Sequence, residues 1–119
     1  MKKILIIDDD KRIRDIIKIQ LHNEELEILE ASNDSEVFPV LSTHDISVIL
    51  CDVKLKQADG FSIVEFLKSS IYSKIPVIML TGFIDRETSE RAKSVGCVDF
   101  ITKPVKRQKL IETIKKALI

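Results

Sequence analysis

Apolar residues follow two alternating rhythms along this chain. Three short runs, Ile4 to Ile7, Val48 to Cys51 and Val77 to Leu80, are free of charge, rich in β-branched residues and bounded by polar or turn residues. That is the pattern of strands buried on both faces. Leu26 to Ala31 and Val98 to Ile101 mix polar residues into the apolar ones, as expected of edge strands with one side toward solvent. Between these segments the spacing turns helical: Ile13, Ile16, Ile17 and Leu21 share a face, as do Ile63, Val64 and Leu67, and later Leu110, Ile111, Ile114 and Leu118.

Two helices read differently. Asp85 to Val95 has only Ala92 and Val95 as apolar anchors among Arg86, Glu87, Glu90, Arg91 and Lys93, so it is expected to be weakly held. Another begins at the capping pattern Asn33-Asp34-Ser35-Glu36, but Pro39 costs about 3 kcal/mol in a helix interior unless it lies in the first turn. A late start or a kink is expected there.

Strand therefore alternates with helix, without linker, repeat or low-complexity tract, which implies a parallel sheet with right-handed crossovers and helices on both faces. With the first, third and fourth strands central, the order 2-1-3-4-5 satisfies the hydrophobicity. The prediction is a doubly wound α/β fold, a flavodoxin-like three-layer (βα)5 sandwich forming one domain over residues 1–119. Ligands in such sheets bind beyond the carboxyl ends of the strands where the order reverses, here between the first and third.

Composition removes several function classes. Lysine plus arginine and aspartate plus glutamate both count 19, so the whole molecule has no net attraction for nucleic acid or an acidic membrane. The apolar run after Met1-Lys2-Lys3 stops at Asp8, too short for a signal peptide, and no run approaches the roughly 20 residues of a membrane helix. A soluble cytoplasmic protein is expected. Cys51 and Cys97 have no CxxC spacing and are read as buried free thiols; His22 and His44 are read as surface residues without partners.

The candidate chemistry gathers at one edge. Asp8, Asp9 and Asp10 follow the first strand and Asp52 ends the third, its neighbour in the inferred order. Two carboxylates about 4 Å apart repel by about 4 kcal/mol at an effective dielectric near about 20, so such a cluster protonates, splays or recruits a cation. All-oxygen donors favour Mg²⁺ or Mn²⁺. Asp10 is assigned to capping the next helix. Thr81-Gly82 after the fourth strand sets a hydroxyl beside room for a bulky anion, and Lys103-Pro104 after the fifth sets an ammonium beside a candidate cis bond. Singly, each feature suits an ordinary cap or turn. Together they occupy the single edge where such sheets bind ligands.

With these residues in place, the chain resembles the receiver domains of response regulators along essentially its whole length, through Asp8-Asp9, Asp52, Asp59-Gly60, Thr81-Gly82 and Lys103-Pro104. The resemblance implies a signalling phosphoacceptor rather than a conventional enzyme. Asp52 would take the phosphoryl group; Asp9 and Asp52 would ligate Mg²⁺, with Asp8 acting through water and Lys54 through its backbone carbonyl. Thr81 and Lys103 would contact the transferred group, and Thr81 and Phe100 would shift inward together to alter a surface of the fourth helix, fifth strand and fifth helix. The implied partner is a histidine kinase or a histidine phosphotransfer domain, docking near Ile16 and Ile19. Neither the output nor a phosphorylation-dependent homodimer is specified.

The chain departs from the family at Leu55-Lys56, where a Met-Pro pair is common, so a less rigid loop is expected. Lys54 and Phe83 flank the path of an attacking water, and slow self-dephosphorylation is expected. Two other readings compete. Asp8 and Asp10 form a D-x-D like that of haloacid-dehalogenase-like phosphatases, although Glu112 is the only acid after Lys103. A receiver-like adaptor that works without phosphorylation is the third reading.

Overall fold

A computed structural model describes residues 1–119. Its elements are β1 (Lys2–Ile7), α1 (Lys11–Gln20), β2 (Leu26–Ala31), a 3₁₀ turn (Asp34–Glu36) running into α2 (Val37–Thr43), β3 (Val48–Asp52), α3 (Gly60–Lys68), β4 (Val77–Thr81), α4 (Arg86–Val95), β5 (Asp99–Thr102) and α5 (Arg107–Ala117). All strand pairs are parallel and the sheet order is β2-β1-β3-β4-β5, as the hydrophobicity predicts.

Because side chains alternate across a strand, each central strand feeds two cores. Ile4, Ile6, Leu50, Ile78 and Leu80 pack with Ile17 of α1 and Leu110 and Ile114 of α5. Leu5, Ile7, Ile49, Cys51 and Met79 face the other way, toward α2, α3 and α4. β3 and β4 are buried throughout, whereas β2 and β5 are partly exposed. This is the three-layer arrangement expected. No helix is long and apolar enough to cross a membrane.

The second helix does start late. Asn33 accepts from the Glu36 amide, Glu36 reaches back to the Ser32 hydroxyl at 2.7 Å, and Pro39 falls in the first turn of α2, where no amide is required. α4 buries only Ala92 and Val95, and ends at Gly96 with φ 91°, a left-handed cap suited to glycine. That cap and the two residues after it move the last strand one residue later than predicted, leaving Val98 outside it and 55% exposed.

Other expectations need correction. Ile16 lies at the rim of the α1 apolar face and is 42% exposed, because Ile17 and Leu21 occupy the inward row. Cys51 is buried, but Cys97 is only partly so. Burial pushes the Cys51 thiol well up and Cys97 up to about 11, so neither is a thiolate at neutral pH. His44 is half-buried, with Nδ1 2.9 Å from the Thr43 hydroxyl.

Candidate functional site

Register places the acids. Ile7 pairs with Cys51 across β1 and β3, so Asp8 and Asp52 leave the sheet side by side. Carboxylate oxygens of Asp8, Asp9 and Asp52 lie within 4.8 Å of one another. Asp8 is fully buried and Asp52 is 6% exposed. One Asp8 oxygen accepts from the Asp10 amide at 2.9 Å, and Asp9 accepts from the Lys56 amide at 2.6 Å.

Lys103 enters this cluster from the far edge. Its amide donates to the Thr81 carbonyl at 2.7 Å, the following bond to Pro104 is cis, and its ammonium stands 3.2 Å from both Asp8 Oδ2 and Asp52 Oδ1. Burial, reinforced by the neighbouring Asp8 charge, raises the proton affinity of Asp52 against the opposing pull of Lys103. Burial alone pulls Lys103 down, yet Asp52 and Asp8 outweigh it and hold the ammonium above its usual range. One cation thus serves two buried carboxylates. With Asp9 the local balance stays negative, and the donors are all oxygen, so the residues fit a hard divalent cation.

Thr81 is 6% exposed, and its hydroxyl donates to the Phe83 carbonyl at 2.8 Å and accepts from the Phe83 amide at 3.2 Å. In this conformation it closes its own turn. A Cβ built on Gly82 would meet nothing within 4 Å, which agrees with room for an anion. Phe100 is half-buried, Lys54 is exposed and Phe83 is 70% exposed.

Asp10 accepts from the Arg12 amide at 2.9 Å and pairs with its guanidinium at 3.1 Å, the capping role expected of it. Its carboxylate is therefore committed to α1. This capping role weighs against the D-x-D on which the phosphatase alternative depended.

Three features escaped the sequence reading. Gly60 is required by contact, since a Cβ there would lie 1.9 Å from the Asp52 carbonyl oxygen. Asp59 caps α3 through the Phe61 amide at 2.9 Å and pairs with Arg91 of α4 at 2.8 Å, while Arg91 also sits 5.0 Å over the Phe61 ring. The loop lacking a proline is instead held by hydrogen bonds: Lys56 to Asp9, Leu55 to Ala58 at 3.1 Å, and Gly60 to the Val53 carbonyl at 2.8 Å. The Asp59-Gly60 dipeptide was visible only through the family resemblance, and Arg91 carried no local signal.

The sequence matches the family of response regulator receiver domains over residues 4–115. An NtrX-like response regulator of Rickettsia felis is 33% identical over 116 residues, covering 96% of this chain and 24% of that protein. The transcriptional regulatory protein SrrA of Staphylococcus aureus is 32% identical over 116 residues, covering 98% of this chain and 47% of that protein. The chain thus spans about a quarter to a half of the length of these curated relatives. Among solved structures, the chemotaxis protein CheY4 of Vibrio cholerae superposes with a TM-score of 0.92 at 28% identity over 99% of both chains. The buried acids joined by one lysine, the sheet order and these likenesses agree, and the chain belongs to the response regulator receiver domains, the signalling domains of two-component systems.

Proposed function

We propose that Asp52 accepts a phosphoryl group from the phosphohistidine of a histidine kinase or a histidine phosphotransfer domain, in the cytoplasm, and that α4, β5 and α5 report the change to an effector. The observation that carries this reading is the single ammonium of Lys103 bonded to both Asp8 and Asp52 at the carboxyl edge of the sheet. In the transfer, an Asp52 oxygen forms the new O–P bond as the donor P–N bond breaks and its electron pair leaves with the imidazole. Charge on the equatorial oxygens is the main thing to be stabilised. The Lys103 ammonium, 3.2 Å from Asp52 Oδ1, would supply part of that stabilisation.

Asp8, Asp9 and Asp52, with the Lys54 backbone carbonyl, would hold Mg²⁺ or Mn²⁺, which when bound supplies further charge neutralisation. The Thr81 hydroxyl would leave the Phe83 carbonyl for a phosphoryl oxygen. Phe100, lacking a hydroxyl, can follow inward without needing a polar partner. α4 suits a two-state element because it buries only Ala92 and Val95, and the Arg91 pairing with Asp59 ties it to the loop after the phosphoacceptor.

The test is titration with beryllofluoride and Mg²⁺, a mimic of the phosphorylated carboxylate, in wild type and Asp52→Asn, read by amide NMR. The expected result is a saturable, Mg²⁺-dependent shift that spreads to Thr81, Phe100 and α4 and vanishes in Asp52→Asn. No change in the wild type would move the assignment to the phosphorylation-independent adaptor. Phe83 stands two residues beyond Thr81 and Lys54 two beyond Asp52, and from these positions they would slow hydrolysis of the acyl phosphate by hindering an attacking water. Phe83→Ala should speed decay of the phosphorylated form several-fold, and Lys54→Ala should alter it too; unchanged decay in both variants would refute the shielding idea.

A further inference from the structure

We infer that Arg14 is a positioning residue for the metal-binding end of the site, a partly buried brace that fixes the Asp8 peptide and through it the direction of the Asp8 and Asp9 carboxylates. The inference rests on the functional reading above. Arg14 lies one turn into α1, and its side chain is 13% exposed. Its Nη1 donates to the Asp8 backbone carbonyl at 2.6 Å and its Nε to Glu30 Oε1 on β2 at 2.9 Å. Glu30 is itself held from the other side by Lys18 at 3.0 Å.

The consequence follows from where Asp8 lies. It is past the last residue of β1 and before the Asp10 cap of α1, so neither a strand ladder nor a helix ladder determines its carbonyl direction. Its amide is anchored to the Ala31 carbonyl at 3.1 Å, and Arg14 anchors the carbonyl. With both ends tied, the Asp8 side chain is aimed at Lys103 and Asp52, and the next peptide delivers Asp9 to the Lys56 amide. The planar guanidinium suits the task because it spans two acceptors with fixed geometry, which a lysine ammonium does not reproduce. Outer partners that orient metal ligands commonly contribute about 10-fold to 100-fold in metal affinity.

The experiment is a Mg²⁺ titration followed by amide NMR on wild type, Arg14→Ala, Arg14→Lys and Glu30→Gln, with the melting temperature of each recorded. Arg107→Ala, which removes a surface brace from α5 to Glu24 and to the Gln20 carbonyl at the C-terminal end of α1, is the stability control. Arg14→Ala should bind Mg²⁺ at least about 10-fold more weakly, Arg14→Lys should not restore affinity, and Glu30→Gln should fall between. Metal-free shift changes should centre on Asp8, Asp9 and Asp10, and high Mg²⁺ should recover the beryllofluoride adduct. Arg107→Ala should keep wild-type affinity. If Arg14→Ala does not fold, Glu30→Gln carries the test, because it leaves Arg14 in place and removes only the charge that orients it. A folded Arg14→Ala or Glu30→Gln with wild-type Mg²⁺ affinity overturns the inference. A wild type that binds no Mg²⁺ overturns the functional reading and the inference together, a result distinguishable from equal binding by both proteins.

Discussion

Lys103→Met is expected to lower the rate of phosphoryl uptake by Asp52 by about 100-fold or more, the usual loss when a preorganised charge at a developing oxyanion is removed. It should also destabilise the protein without Mg²⁺ by about 3 kcal/mol at neutral pH, because removing one partner of a buried pair leaves the other uncompensated. The Lys103 ammonium bridges Asp8 and Asp52 at 3.2 Å each, and Asp8 is fully buried.

The destabilisation should depend on pH with a defined sign. Burial and Asp8 already raise Asp52 above the carboxylate value of 3.8, and removal of Lys103 raises it further. A carboxyl that binds its proton more tightly when folded contributes stability below 3.8 that is lost as pH rises through the folded value. Lys103→Met should therefore sit nearest the wild type in acid and diverge from it toward neutrality. Adding Asp52→Asn to Lys103→Met should flatten that dependence. Denaturant melts across this range, together with uptake of phosphoryl from a small-molecule donor, check both parts. Parallel stability curves for wild type and Lys103→Met would exclude the electrostatic account.

Gly60→Ala is expected to cost about 3 kcal/mol or more, at the upper end of what one added methyl does in a packed interior. The added carbon would lie 1.9 Å from the Asp52 carbonyl oxygen and 2.9 Å from its carbon. The nearest neighbours are backbone, so relief requires the end of β3 to move rather than a side chain to turn. That movement displaces Asp52, the proposed phosphoacceptor. Gly82→Ala is the control, since a Cβ there meets nothing within 4 Å. Thermal unfolding should separate the two sharply, and the Gly60 variant should lose beryllofluoride binding even below its melting temperature. Equal stability of the two variants would show that β3 accommodates the methyl.

Much of the architecture is legible in the sequence because burial on both faces leaves a direct trace. Ile4 to Ile7, Val48 to Cys51 and Val77 to Leu80 are uninterrupted by charge, and all of them lie in central strands. Strand order then follows from which runs are wholly apolar, and the position of the site follows from the order. Helix caps are similarly local: Asp10 and Asn33 each satisfy an amide two or three residues on, so a short window of sequence contains both partners.

What escaped that reading involves partners distant in sequence. Arg91 lies in α4 and Asp59 caps α3, and they meet only because the two helices pack on the same face of the sheet. Gly60 is needed for its distance to the Asp52 backbone, a tertiary quantity with no signature beyond the glycine itself. The exposure of Ile16 and the later start of β5 were decided by helix rotation and by the Gly96 cap, each a matter of one residue, which hydrophobic periodicity cannot resolve. The sequence by itself determined the doubly wound sheet and the edge where its acids, threonine and lysine collect, because those depend on hydrophobic pattern and element order. Only the tertiary structure decided that one lysine joins Asp8 to Asp52, that Thr81 turns to Phe83, and that Arg14 ties β2 to the Asp8 carbonyl, because hydrogen bonds and ion pairs act over a few ångströms between residues the chain keeps far apart.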